Sequence, residues 1–270
     1  MEHRLKVSRP RLHQCRTAFS LLELSIVLVI VSVVAVLGLE VANQFVARRA
    51  YVETQAKLAR IDQAIVDFRR IHGRLPCIAD TASNGMEYSS CTNTGLTSTV
   101  ITGTVPYVAL NLSFDDVVDS YGNLINYAVS RRLTLDATTS PANNFNDSTA
   151  MIEIRTGRLQ NPCSTTCSVL ADPTASPATG AAYAVFSNGY DRRGGRNRVG
   201  TVAVACFSAV GDTRIDSQNC WRTTGTSLTI FAALTAVQKE ALFYDSRYNA
   251  GSQTTNYFDD IIVWRTKGRL

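Results

Sequence analysis

One stretch constrains this chain more than any other. Phe19 to Leu39 reads FSLLELSIVLVIVSVVAVLGL, 21 residues whose single charge is Glu23. As a helix it measures about 31 Å, close to the hydrocarbon thickness of a bilayer. A secretory signal has a shorter apolar region, followed by small residues and a loop. Here helix-patterned sequence continues instead. Tyr51, Leu58 and Ile65 recur every seven residues, and Ile61 and Phe68 fall on the same stripe. No proline stands between Pro10 and Pro76, and Gly73 sits where a helix stop belongs. The pattern predicts one helix from Phe19 to His72, apolar over 19–39 and amphipathic over 40–73.

Charge sharpens this reading. Of 27 basic and 22 acidic residues, five and one lie in residues 1–18, so the remainder is nearly neutral. The excess is a basic tag (Arg4, Lys6, Arg9, Arg11, Arg16) ahead of an apolar run, as expected of a segment held on the cytoplasmic side of a membrane. It argues against nucleic acid as a partner of the rest. Glu23, five residues into the apolar run, needs a cation if it enters lipid. Cleavage between Ala18 and Phe19 supplies one, the new α-amine, in the same helix or in a neighbouring copy.

Ala18-Phe19-Ser20-Leu21-Leu22-Glu23-Leu24 resembles the processing signal of type IV prepilins and type II secretion pseudopilins. The resemblance implies a leader over 1–18, removed by a prepilin peptidase that methylates Phe19, and Glu23 as the fifth mature residue acting in assembly. Ala18 departs from the usual glycine. Asp119-Ser120-Tyr121-Gly122-Asn123 and Gly73-Arg74-Leu75-Pro76 are similar to turns in the same family. On physical grounds alone each is a turn. The implied protein is a minor filament subunit, with partner subunits bound through the N-terminal helix in the inner membrane, N-terminus inside and globular part periplasmic.

From residue 74 to 270 the sequence turns to Ser, Thr, Asn and Gly with short apolar runs. Strands are predicted at Val105–Leu110, Leu124–Val129, Met151–Arg155, Ala182–Ser187, Val199–Phe207 and Tyr257–Val263, and a second helix at Ala232–Tyr244. Residues 134–149 and 160–181 read as loops. The expected fold is α+β, with the long helix packed on an antiparallel sheet. Without Cys15, six cysteines remain, an even number that suits an oxidising compartment. Their spacing favours Cys77–Cys91, Cys163–Cys167 and Cys206–Cys220 among 15 pairings. A metal site at Cys163 and Cys167 lacks a second ligand pair.

Catalytic residues are scarce. Only His72 lies beyond the leader, at a helix end suited to capping, and no hydrolase, zincin or phosphate-loop motif occurs. The reading is not an enzyme. The rivals are an uncleaved single-pass binding protein and an anchored enzyme. The order Phe186-Ser187-Asn188-Gly189-Tyr190-Asp191, Gly194-Gly195 and Asp259-Asp260 resembles the calcium end of major pseudopilins, which implies Asp191, Asp259 and Asp260 as oxygen ligands. Arg192, Arg193, Arg196 and Arg198 crowd the same loop and favour a salt-bridged loop without metal. Phosphate contact by these arginines is the weakest alternative.

Overall fold

In the computed structural model, residues 21–79, 84–88, 99–138, 144–156, 168–206, 219–220, 241–246 and 258–270 are described. The chain divides into two compact units, Met1–Arg48 and Arg49–Leu270. The first is represented by the opening of helix α1, which runs from Leu21 to His72. Every side chain from 21 to 36 is exposed. Among the described residues, no helix is long and apolar enough to cross a membrane. The run of residues 19–39 falls partly outside them.

In the second unit α1 is amphipathic as expected. Leu58, Ile61, Ile65 and Phe68 are buried, with Thr54 and Asp62 among them. The helix stops at Gly73, whose φ of 71° is open to glycine at no steric cost, and the Gly73 N–H donates to Arg69 O at 2.9 Å.

The unit is α+β. Strands β1 (Val100–Thr104), β3 (Asn126–Ser130), β6 (Ala181–Ser187) and β9 (Ile261–Thr266) form an antiparallel sheet in the order β1-β3-β6-β9. Alternation along the strands separates two cores. Tyr127, Val129, Tyr183 and Val185 meet the α1 stripe on one face. Ala128, Ala184 and Phe186 pack on the other against Ile152, Ile154 and Phe243. With both faces covered, β6 is buried along its whole length, which explains its uninterrupted apolar sequence. A second sheet, β5-β4-β8, joins β4 (Glu153–Thr156) antiparallel to β5 (Ser168–Ala171) and parallel to β8 (Leu242–Tyr244). A small ladder pairs β2 (Asn123–Leu124) with β7 (Arg196–Asn197).

Several predicted elements are corrected. Val105–Leu110 is a turn, and the strand lies just before it at Val100–Thr104. Pro106 has no N–H to give a ladder, and the chain reverses with Tyr107 N–H on Val105 O. Residues 199–206 of the predicted Val199–Phe207 strand are turn with isolated bridges at Val202 and Val204, because the loop pairs with itself. The last strand is displaced towards the C-terminus, to Ile261–Thr266. Of the second helix, residues 232–240 lie outside the described residues, Ala241 is helical, and Leu242–Tyr244 is strand. Strand β5 falls in a segment read as loop.

Polar contacts clamp α1 to this body. Asp62 accepts from Tyr183 Oη at 2.7 Å and from Arg265 Nε at 2.8 Å. Lys57 Nζ donates to Val118 O at 2.7 Å, and Arg60 pairs with Asp116 at 2.7 Å. At the helix exit Arg74 grips Glu87 through two bonds of 2.7 and 3.0 Å, and Glu87 Oε1 also takes the Cys77 N–H.

Candidate functional site

Two places collect the residues singled out by sequence. The first is the start of α1. Glu23 lies in the opening turn and is exposed, while Ala18 and Phe19 lie outside the described residues. The other breaks in apolarity up to residue 36 are Ser25 and Ser32. Each returns its hydroxyl to its own helix, to Leu22 O at 2.7 Å and Val29 O at 2.8 Å. Both serines thus satisfy their donors without water or a neighbour.

The second place is the polar end of β6. The Asp119 turn is built as its residue types demand. Asp119 Oδ1 accepts the Tyr121 and Asn123 N–H groups at 3.0 and 2.8 Å, and Gly122 takes a φ of 86°. Oδ2 accepts from Ser187 Oγ at 2.6 Å, which ties the turn to the end of β6. Burial pushes the Asp119 carboxyl above the usual range, and the hydrogen bond from Ser187 offsets part of this.

Gly189 opens the loop beyond β6. Its φ is 62°, and a Cβ there would stand 2.2 Å from Asp259 O, so only glycine lets the two segments meet. Here the structure brings two of the three candidate calcium ligands together, since the Asp191 N–H donates to Asp259 Oδ2 at 2.7 Å. The Asp191 carboxylate is also paired with Arg193 at 3.2 Å. Asp260 is buried close by, and its Oδ2 receives no hydrogen bond from the described residues. Burial first, and then the Asp259 charge, raise the Asp260 carboxyl well above its ordinary value. Among the described residues, no three His, Cys, Asp or Glu side chains are grouped to hold a metal ion.

The four loop arginines are engaged by the protein itself. Arg192 Nε donates to Asn123 Oδ1 at 3.2 Å, Arg193 to Ala205 O at 3.0 Å, and Arg196 to Gly200 O at 2.9 Å. Arg198 pairs with Asp115 at 2.9 Å. These contacts favour the salt-bridged loop over a phosphate-binding patch.

Cys206 and Cys220 form a disulfide, as their spacing favours. Cys77 is also disulfide-bonded. Cys91, Cys163 and Cys167 lie outside the described residues. His72 closes α1 with Nδ1 3.0 Å from Phe68 O and its ring stacked on Phe68, a capping role.

Sequence reasoning missed the Asp62–Tyr183–Arg265 cluster. The available signal was an aspartate on the apolar stripe between Leu58, Ile61 and Ile65. No known family profile, curated protein or solved structure matches the chain.

Proposed function

We propose that this chain is a minor subunit of a type IV pilus or type II secretion pseudopilus. It is made as a prepilin, cut between Ala18 and Phe19 by a prepilin peptidase and assembled through α1. The observation that carries this is the face-less apolar helix. From Leu21 to Val36 all side chains except Glu23, Ser25 and Ser32 are apolar, and all are exposed. A helix apolar on every side needs lipid or like helices around it. Each large side chain left in water forgoes about 1.5–3 kcal/mol. The basic tag selects the inner membrane with the N-terminus inside, and the polar unit beyond Arg48 is periplasmic until assembly.

In this reading Glu23 neutralises the α-amine of Phe19 on an adjacent subunit and sets axial register. The test is mass spectrometry of the N-terminal peptide from native membranes, with and without the peptidase. The expected species begins at methylated Phe19 and disappears with the enzyme. An intact N-terminus supports instead the single-pass anchored protein. Glu23→Ala is expected to leave insertion intact and abolish recovery in filaments.

Calcium at Asp191, Asp259 and Asp260 is a separate proposal. The Asp260 Oδ2, which receives no hydrogen bond from the described residues, supports it. Titration of calcium into chelator-stripped protein tests it, and an absence of heat ends it.

A further inference from the structure

The arginine loop is a small hairpin folded on itself. Gly194 N–H donates to Val204 O, Ala203 N–H to Gly195 O and Asn197 N–H to Thr201 O, each at 2.8 Å. One side is held by the β2–β7 pairing of Asn123 with Asn197 and Leu124 with Arg196. The other side ends at Cys206, which is covalently bonded to Cys220.

The far end of that bond is not an ordinary surface residue. Cys220 is buried, and its neighbour Asn219 is fully buried. The Asn219 side chain donates to Tyr244 O at 2.9 Å and accepts from Tyr244 N at 3.0 Å. It thus takes the place of a strand on the edge of β8 that β4 does not pair with. The same side chain lies beside the Asp260 carboxyl and favours its charged form. Phe243 of β8 in turn packs against Phe186 of β6 with ring centroids 5.4 Å apart. One disulfide therefore joins the base of the arginine loop to the residue beside the one that holds the free edge of β8.

We propose that Cys206–Cys220 is a redox clasp. Oxidised, it fixes the loop and seats Asn219 on the free edge of β8. Reduced, the loop and Asn219 come free together while the four-stranded sheet stays folded, because none of its strands contains either cysteine. The chemistry is dithiol–disulfide exchange. A thiolate of a small dithiol attacks the half-buried Cys206 Sγ, forms a mixed disulfide and releases the Cys220 thiolate. The second thiol of the reagent then displaces Cys206. Two electrons pass to the protein, two protons complete its thiols, and the dithiol becomes a disulfide. In the forming direction a disulfide-bearing oxidant must act on the chain before the loop surface is set. This inference stands apart from the filament reading.

The loop carries its own reporter, since trypsin cuts after Arg192, Arg193, Arg196 and Arg198. The test uses the full chain in detergent, with and without dithiothreitol, with cleavage sites read by mass spectrometry. The clasp predicts at least about tenfold faster cleavage at the loop arginines after reduction, because proteolysis follows the open population. Cleavage at Arg265, on strand β9 of the four-stranded sheet, stays unchanged. Cys206→Ser with Cys220→Ser reproduces the effect without reductant, which separates it from the disulfide at Cys77. With the bond intact, Asn219→Ala speeds hydrogen exchange at the Tyr244 amide and leaves the loop protected. Equal loop cleavage in both redox forms overturns the proposal. Loss of the β circular-dichroism signal on reduction overturns it too, because the bond is then a staple of the whole unit.

Discussion

Residues 21–36 and 49–72 share one helix and follow opposite rules. In the first stretch every side chain is exposed and nearly all are apolar. In the second, apolar residues are buried on one stripe, and Gln55, Arg60, Gln63 and Asp67 take the other side. Secondary structure does not distinguish them; what covers them does. The second stretch is completed by its own sheet. The first carries no polar face of its own and is covered by none of the described residues. The Cys206–Cys220 disulfide and the buried Asp62–Tyr183–Arg265 cluster belong to the unit beyond Arg48.

The contrast is broken most directly with one residue type in both places. Ile65 is 0% exposed in the core, and Ile30 is 57% exposed. Ile65→Ala is expected to cost about 2–5 kcal/mol, the cost of lost burial plus a cavity. Ile30→Ala changes fold stability by less than about 0.5 kcal/mol. Urea unfolding of the full chain in detergent measures both. Equal losses mean that Ile30 is covered within the chain, and the contrast fails.

A second substitution sharpens the closed half. Asp62 is the carboxylate that α1 places on its buried stripe, answered by Tyr183 Oη and Arg265. Beside that charge and in a buried site, the Tyr183 hydroxyl is held far above its usual range, with burial the larger cause. Asp62→Asn keeps the shape but weakens the charge-assisted bonds from Tyr183 and from both Nε and Nη2 of Arg265, and about 2 kcal/mol of stability is expected to go. Asp67→Asn, exposed on the same helix, is the control and stays near zero. If Asp62→Asn is also neutral in the thermal melt, α1 is held by its apolar stripe alone.

Much of this was legible in sequence where a local rule matched the tertiary outcome. The α1 stripe, the Gly73 stop, the Asp119 turn, β3 and β6 all have that property. The failures have physical reasons. In Val100–Thr104, Gly103 interrupts the strand signal. Gly103 is needed because Ala79 O comes within 2.8 Å of where its Cβ would stand. Val199–Phe207 looks β-branched enough for a strand, but glycines at 194, 195 and 200 let the chain turn back on itself first. Asp62 pairs with Arg265, 203 residues away, and no local pattern announces such a partner.

The smallest expected effect tests how the same interior treats a carboxylate with no cation partner among the described residues. Asp245 accepts one indole N–H, from Trp264 Nε1 at 2.9 Å. Burial raises its carboxyl above the model-peptide value of 3.8, and the Trp264 bond offsets part of that rise. The folded chain therefore keeps this proton over a window just above 3.8, where the unfolded chain has lost it. In that window stability falls as pH rises, and the loss is complete above the folded-state value. Asp245→Asn removes the titration and keeps the acceptor, so its stability curve is expected to be flatter than the parent's across the window. The Trp264 indole N–H resonance should move with pH over the same range in the parent and stay still in the variant. If the parent resonance instead titrates below 3.8, the single indole N–H outweighs burial, and the interior does not disfavour this carboxylate.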